Sequence, residues 1–241
     1  MNLRRLIRVT LIGLMALLLA GCDRVFEVAY CDWGYSKAGD DNFEGSIQLL
    51  DKCLALDSLT AEKRAFYLQV RARSLYRIGE HQRALDDLEA AFAIVPPTTH
   101  REFIVHAAYL RRLGRYQESL TPLFQAEVVD ELNGHTSMMT QYNLGWTLYE
   151  LGRYEEAIAA FTRGIPHQPD YPFVYYRRGL AYHKSDNVAA AAADFEKFVA
   201  LYDAEAMRFP GGFMADLRVV AAQHPVLQPV LEDATKDNGE N

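Results

Sequence analysis

Three kinds of residue in this 241-residue chain could do chemistry by type and spacing. They are three cysteines, seven histidines, and paired acids on helical stretches, Asp86-Asp87 and Glu155-Glu156. Paired carboxylates can divide general acid and general base work when their surroundings separate their pKa values. Both pairs fall on helical stretches near an expected outer surface, where neighbouring acids form a solvated helix face. The histidines are scattered. His100 and His106 are not four apart, and no second Cys/His pair stands at metal-ligand spacing. No glycine-rich phosphate loop, nucleophile elbow, HExxH or EF-hand loop occurs. The expectation is a non-enzyme with no cofactor and no metal. Half the residues are hydrophobic and only nine are proline, which excludes a disordered or collagen-like chain. A net charge of −7 argues against a nucleic acid partner held by a general basic field.

Position decides what the cysteines can do. Met1–Arg8 is basic, and Val9–Gly21 carries no charge. That run is shorter than the roughly 20 apolar residues of a spanning helix. Its order, basic then apolar, is that of a secretory signal. It ends in Leu19-Ala20-Gly21-Cys22, which resembles the lipobox of bacterial lipoproteins. The resemblance implies that residues 1–21 are a cleaved signal and that the Cys22 thiol takes a diacylglycerol. The freed amine is then acylated, and several chains anchor the protein to a lipid bilayer without a spanning helix. Asp23 is similar to the inner-membrane retention signal of enterobacterial lipoproteins, with the outer membrane as the alternative. The expected location is thus the bacterial cell envelope, facing the periplasm. Removal of the leader takes the net charge to −10. Export puts Cys31 and Cys53 in an oxidising compartment. They lie on either side of a turn at Gly39–Asn42, so antiparallel helices could pair them. Two small buried thiols are the alternative.

The elements that position these residues repeat. Leu151-Gly152-Arg153-Tyr154 matches Leu113-Gly114-Arg115-Tyr116, and Ile78-Gly79-Glu80-His81 matches both. A step of thirty-four residues carries Gly145 to Gly179, Ala157 to Ala191 and Phe161 to Phe195. Such a period is the mark of a repeat architecture. Leu144-Gly145, Gly152, Tyr154, Ala157, Phe161 and Pro169 resemble the pattern of the tetratricopeptide repeat (TPR) family, whose units are helix–turn–helix hairpins. The expected fold is all-α, a TPR-type solenoid. Four units frame at 65–98, 100–133, 138–171 and 172–205. Residues 22–64 read as a tether plus a degenerate N-terminal hairpin, whose second helix is Asn42–Leu56. Residues 206–241 read as a capping helix, Phe213–Gln223, and a polar tail. Apolar residues recur at three- and four-residue steps within each unit. Gly145 and Gly179 remove bulk where helices approach, and Gly79, Gly114 and Gly152 suit turns of positive φ. Pro122 is expected to kink or shorten its helix, leaving Val128–Ser137 as the longest connection.

Charge separates the two helix sets. The first fourteen residues of the four units carry +3, +2, −1 and +3, and the next fourteen carry −3, −1, 0 and −2. In the TPR family first helices line a concave groove. The resemblance therefore assigns to it Arg73, Tyr76, Arg77, Arg111, Arg112, Tyr142, Asn143, Trp146, Tyr149, Tyr176, Arg177, His183 and Lys184. Guanidinium forks take carboxylates in pairs, and aromatic walls add contact area at low entropy cost. The groove would suit an acidic or C-terminal peptide segment of another protein. Three roles fit: a scaffold or adaptor in envelope assembly, an immunity lipoprotein that neutralises a periplasmic toxin, or an enzyme or glycan-binding accessory whose aromatic groove residues stack sugars.

Overall fold

Asn42, Thr60, Thr99 and Ser137 each accept, through the side-chain oxygen, the backbone N–H three residues on. Each satisfies an orphan donor of a helix N-terminus, worth about 1 kcal/mol, and helices start at Phe43, Ala61, His100 and Met138 as a result. A computed structural model describes residues 25–201 and 211–237. Cys22 and the leader lie outside the described residues, as does the segment 202–210. Among the described residues there are twelve α-helices and no strand. No helix among them is long and apolar enough to cross a membrane. The chain divides into two compact units at Pro97/Thr98.

The first unit opens with a π-helical stretch, Glu27–Asp32, that runs into α1 (Trp33–Gly39). It continues with α2 (Phe43–Leu54), α3 (Ala61–Arg77) and α4 (His81–Ile94). The turn falls where the sequence placed it, with Asp41 at φ 57°. Cys31 and Cys53 are joined in a disulfide, their Cα atoms 4.9 Å apart. Both are fully buried, beside Ala38, Leu50, Leu59, Tyr67 and Val70. Arg64 on α3 donates to the carbonyls of Leu54 and Leu56 (2.7 and 2.9 Å), a cation closing the carbonyl end of α2. The α3–α4 hairpin begins at Ala61, four residues before the framed unit, because Thr60 supplies the cap.

The second unit stacks α5 (His100–Arg112), α6 (Tyr116–Leu132), α7 (Met138–Glu150), α8 (Tyr154–Gly164), α9 (Pro172–Lys184) and α10 (Val188–Leu201) as three hairpins. The turn glycines Gly114 and Gly152 have φ 73°. Asp186 takes the matching place in the last hairpin at φ 58°. Close approach explains the other two glycines: a Cβ on Gly145 would stand 2.7 Å from the Phe161 ring, and one on Gly179 2.8 Å from Phe195. Both rings are fully buried, in one core with Leu144, Val174 and Phe198. After the segment 202–210, α11 (Gly211–Gln223) adds Leu217, Val220 and Ala221 to that core.

Two expectations need correction, and a third gains detail. The helix containing Pro122 is not shortened. At seventeen residues α6 equals α3 in length, and the connection is 133–137 rather than Val128–Ser137. The proline ring is buried in the hairpin, so packing offsets the one missing donor. The polar tail is helical as far as it is described, to Asp237. A 3-10 turn, Pro225–Leu227, leads into a helix α12, Gln228–Asp237, and Leu227 of the turn and Val230 of the helix lie in the core. Asp87 is not a solvated acid. It is buried and takes Arg71 through Nε and a terminal nitrogen at 2.7 and 2.8 Å. Sixteen residues separate these two, and the same step joins Arg178 to Asp194 at 2.7 and 2.8 Å. Burial holds the Asp194 carboxyl above its ordinary range against the pull of Arg178. Part of the charge split between helix sets is therefore spent inside the hairpins. Breaking such a buried pair from one side costs about 3–5 kcal/mol.

Candidate functional site: a basic and aromatic face on α5, α7 and α9

The first helices of the second unit lie side by side, α5 against α7 and α7 against α9. Arg111 lies in the last turn of α5, Trp146 in α7, and Arg177 in α9. The two guanidinium carbons stand 4.1 and 4.0 Å from the Trp146 ring centroid. Two cations on one indole cost mutual repulsion, which the ring quadrupole and nearby acceptors offset. Arg111 donates to Asn143 Oδ1 (2.9 Å) and reaches Thr147 Oγ1 at 3.5 Å. Arg177 lies 4.0 Å from Glu150, whose Oε1 also accepts the Trp146 indole N–H at 2.9 Å. The indole and both arginines are half-buried rather than sealed. Arg112 and Lys184 are exposed at the ends of α5 and α9.

The other residues of this face are engaged. Tyr142 is buried, packed against Trp146, Phe161 and Tyr171, and belongs to the core more than to a surface. Asn143 is buried too, donating to the Met139 carbonyl at 2.8 Å. Tyr176 is buried with its hydroxyl donated to Asp216 of α11. Burial, and then that carboxylate, push its pKa well above the ordinary tyrosine value. These three correct the expectation of an open wall, because large side chains on first helices are needed to fill the space between hairpins. Tyr149 is half-buried against Tyr154, and burial again raises its pKa. The His183 ring lies 5.2 Å from that of His224, and burial followed by His224 lowers its pKa.

In the first unit Arg73 is exposed on α3. The Tyr76 ring is 5.1 Å from His81. Arg77 lies 4.7 Å over Phe43 and 4.0 Å from Asp41, turned toward the preceding hairpin. Two acids that enter the site were absent from the sequence reading. Glu150 could have been found, since it stands one helical turn after Trp146. Asp216, forty residues from Tyr176, had no local signal. Among the described residues one group, His100, Asp130 and His135, has the spacing of a metal ligand set. It stands apart from this face.

Residues 142–186 match the family model described as TPR repeat, and residues 174–204 match that of the tetratricopeptide repeat. The segment 142–204 is thus built of tetratricopeptide repeats. The chain is similar to DnaJ homolog subfamily C member 3 of Gallus gallus, 28% identical over 148 residues. The match covers 57% of this chain and 28% of that protein, so the chain spans well under two thirds of its relative. Among solved structures it resembles MamA (residues 41 to the end) from Desulfovibrio magneticus RS-1 at a TM-score of 0.63 and 17% identity, over 73% of this chain and 94% of that one. It also resembles YrrB, described as a TPR protein with an unusual peptide-binding site, at 0.58 and 19%, over 71% and 84%. At these identities the likeness is one of fold.

Proposed function

We propose that this chain is a lipid-anchored scaffold of a bacterial envelope, tethered through Cys22 and facing the periplasm. Its α5–α7–α9 face recruits another protein by an acidic or C-terminal segment. The observation that carries the reading is the pair of guanidiniums on Trp146, supplied by the first helices of three successive hairpins. A guanidinium whose face is held by an indole can meet a carboxylate in its own plane, as Arg177 approaches Glu150, while Arg111 is oriented by Asn143 and Thr147. Glu150 already offers one carboxylate to this array, and an incoming acidic group would replace it. The description of YrrB supports a peptide as the class of ligand. The anchor and the location rest on residues 1–23 alone.

Titration calorimetry with peptides ending in acidic residues, free or amidated at the C-terminus, tests the face. Arg111→Glu and Arg177→Glu are each expected to weaken binding at least tenfold with an unchanged helical circular dichroism spectrum. Affinity equal to that of the parent chain in both would overturn it. Acyl incorporation in cells, expected to vanish in Cys22→Ser, tests the anchor separately.

A further inference from the structure

A carboxylate in the last turn of a helix sits at the wrong end of the macrodipole. Asp130 is such a residue, and it is also buried, with a relative exposure of 3%. Neither of its oxygens accepts a hydrogen bond. Two imidazole nitrogens nevertheless close on it: His100 Nδ1 at 3.1 Å and His135 Nε2 at 3.3 Å from Oδ1. These distances lie within ion-pair range, but the N–H directions are not those of a hydrogen bond. Donors that approach one another without pointing at one another are arranged as ligands of a common centre are.

The local fold builds this arrangement. His100 opens α5 directly after Thr99, whose capping box with Glu102 is complete. At the far end of the hairpin, Gly134 at φ 70° turns the chain back, and the His135 N–H donates to the Asp130 carbonyl at 3.1 Å. That is the Schellman closure of a helix end, in which the two residues so paired usually share a hydrophobic contact. Here they are an acid and an imidazole. The repeat does not need them. The places matching His100 and Asp130 hold Ala65 and Val95 in one unit, and Met138 and Gln168 in another.

We infer that His100, Asp130 and His135 form a site for a divalent late first-row cation of the zinc type. Zn–N and Zn–O bonds of about 2.0–2.2 Å at tetrahedral angles place neighbouring donors about 3.4 Å apart, close to the two distances observed. All three donor atoms lie within 4.8 Å of one another, and the exposed His135 side chain can turn to close the set. Two imidazoles with one carboxylate favour zinc over magnesium or calcium, which take oxygen ligands. The ion would neutralise the buried carboxylate. It would also staple the start of α5 to the end of α6, leaving one coordination position to water or to a side chain of a bound protein. The alternative is a carboxylate neutralised by protonated imidazole alone, with no ion.

The untagged full chain, stripped with a chelator, is titrated with Zn2+ against a chromophoric competitor and with Co2+ read by its visible d–d absorption. One equivalent should bind in both titrations. His135→Ala and His100→Ala should each weaken Zn2+ binding at least tenfold, and His167→Ala, an exposed histidine elsewhere, should leave it unchanged. Added Zn2+ should raise the thermal midpoint of the parent chain and of His167→Ala but not of the two cluster variants. His135 is exposed, so its loss tests the site without disturbing the core, and Asp130→Asn serves as a third variant. Absence of stoichiometric binding, or binding that survives His135→Ala and His100→Ala at full strength, would overturn the inference. A thermal midpoint that falls in these variants with no response to Zn2+ would assign the cluster to the ion pair alone.

Discussion

Glu150 holds two groups of the candidate face at once, the Trp146 indole N–H and, at longer range, the Arg177 guanidinium. A ligand carboxylate must compete with it. Glu150→Gln keeps an acceptor for the indole but removes the charge facing Arg177. It is expected to tighten binding of an acidic peptide several-fold, read by calorimetry, with little effect on a neutral peptide. A loss of affinity would mean that Glu150 positions the arginine rather than masks it. At this scale the sequence was uneven. The glycines facing Phe161 and Phe195 could be read, because a fixed step of thirty-four residues carries each glycine and its ring together. Burial of Tyr142, Asn143 and Tyr176 could not, because it depends on which side of a first helix meets the next hairpin. Asp130 and His135 were invisible as partners of His100 because thirty or more residues separate them.

The elements were more legible than their contents. Turn glycines and apolar steps framed four repeat hairpins at 65, 100, 138 and 172, and their first helices start at Ala61, His100, Met138 and Pro172. The rest has local causes. Pro122 breaks a backbone bond, yet it lies where burial of its ring outweighs that loss. α12 begins in a polar stretch, yet Leu227 just before it and Val230 within it are apolar places enough to dock it. The disulfide between the π-helical stretch and α2 closes a loop with a sequence separation of 22. Loops of this size contribute about 3 kcal/mol by restricting the unfolded chain. Reduction, or Cys31→Ser with Cys53→Ser, is expected to lower stability by about that amount in chemical denaturation. The loss should fall on the first unit; an unchanged midpoint for that unit would show that packing alone holds the hairpin.

For the whole molecule, the acidic average conceals a basic face. Some of the excess positive charge on first helices is consumed by Asp87 and Asp194 inside hairpins. The positive charges of the face are of two kinds: half-buried guanidiniums on the indole, and the exposed Arg112 and Lys184 at the ends of α5 and α9. Salt screens the second kind far more than the first. Affinity for an acidic peptide is expected to fall several-fold as NaCl rises toward about 1 M, where the Debye length is about 3 Å, and then to level off. A continued linear fall on a logarithmic scale would place the whole interaction on exposed charges. No fall at all would remove Arg112 and Lys184 from it.

The indole of Trp146 has an optical consequence. The chain has two tryptophans. Trp33 is 60% exposed in the first unit, while Trp146 carries two cations on its ring and a carboxylate on its nitrogen. Emission from the second is tuned by the very charges that a ligand would rearrange. A Trp33→Phe chain would then hold its one tryptophan inside its own candidate site, and occupancy could be followed as a change of colour and intensity without a label.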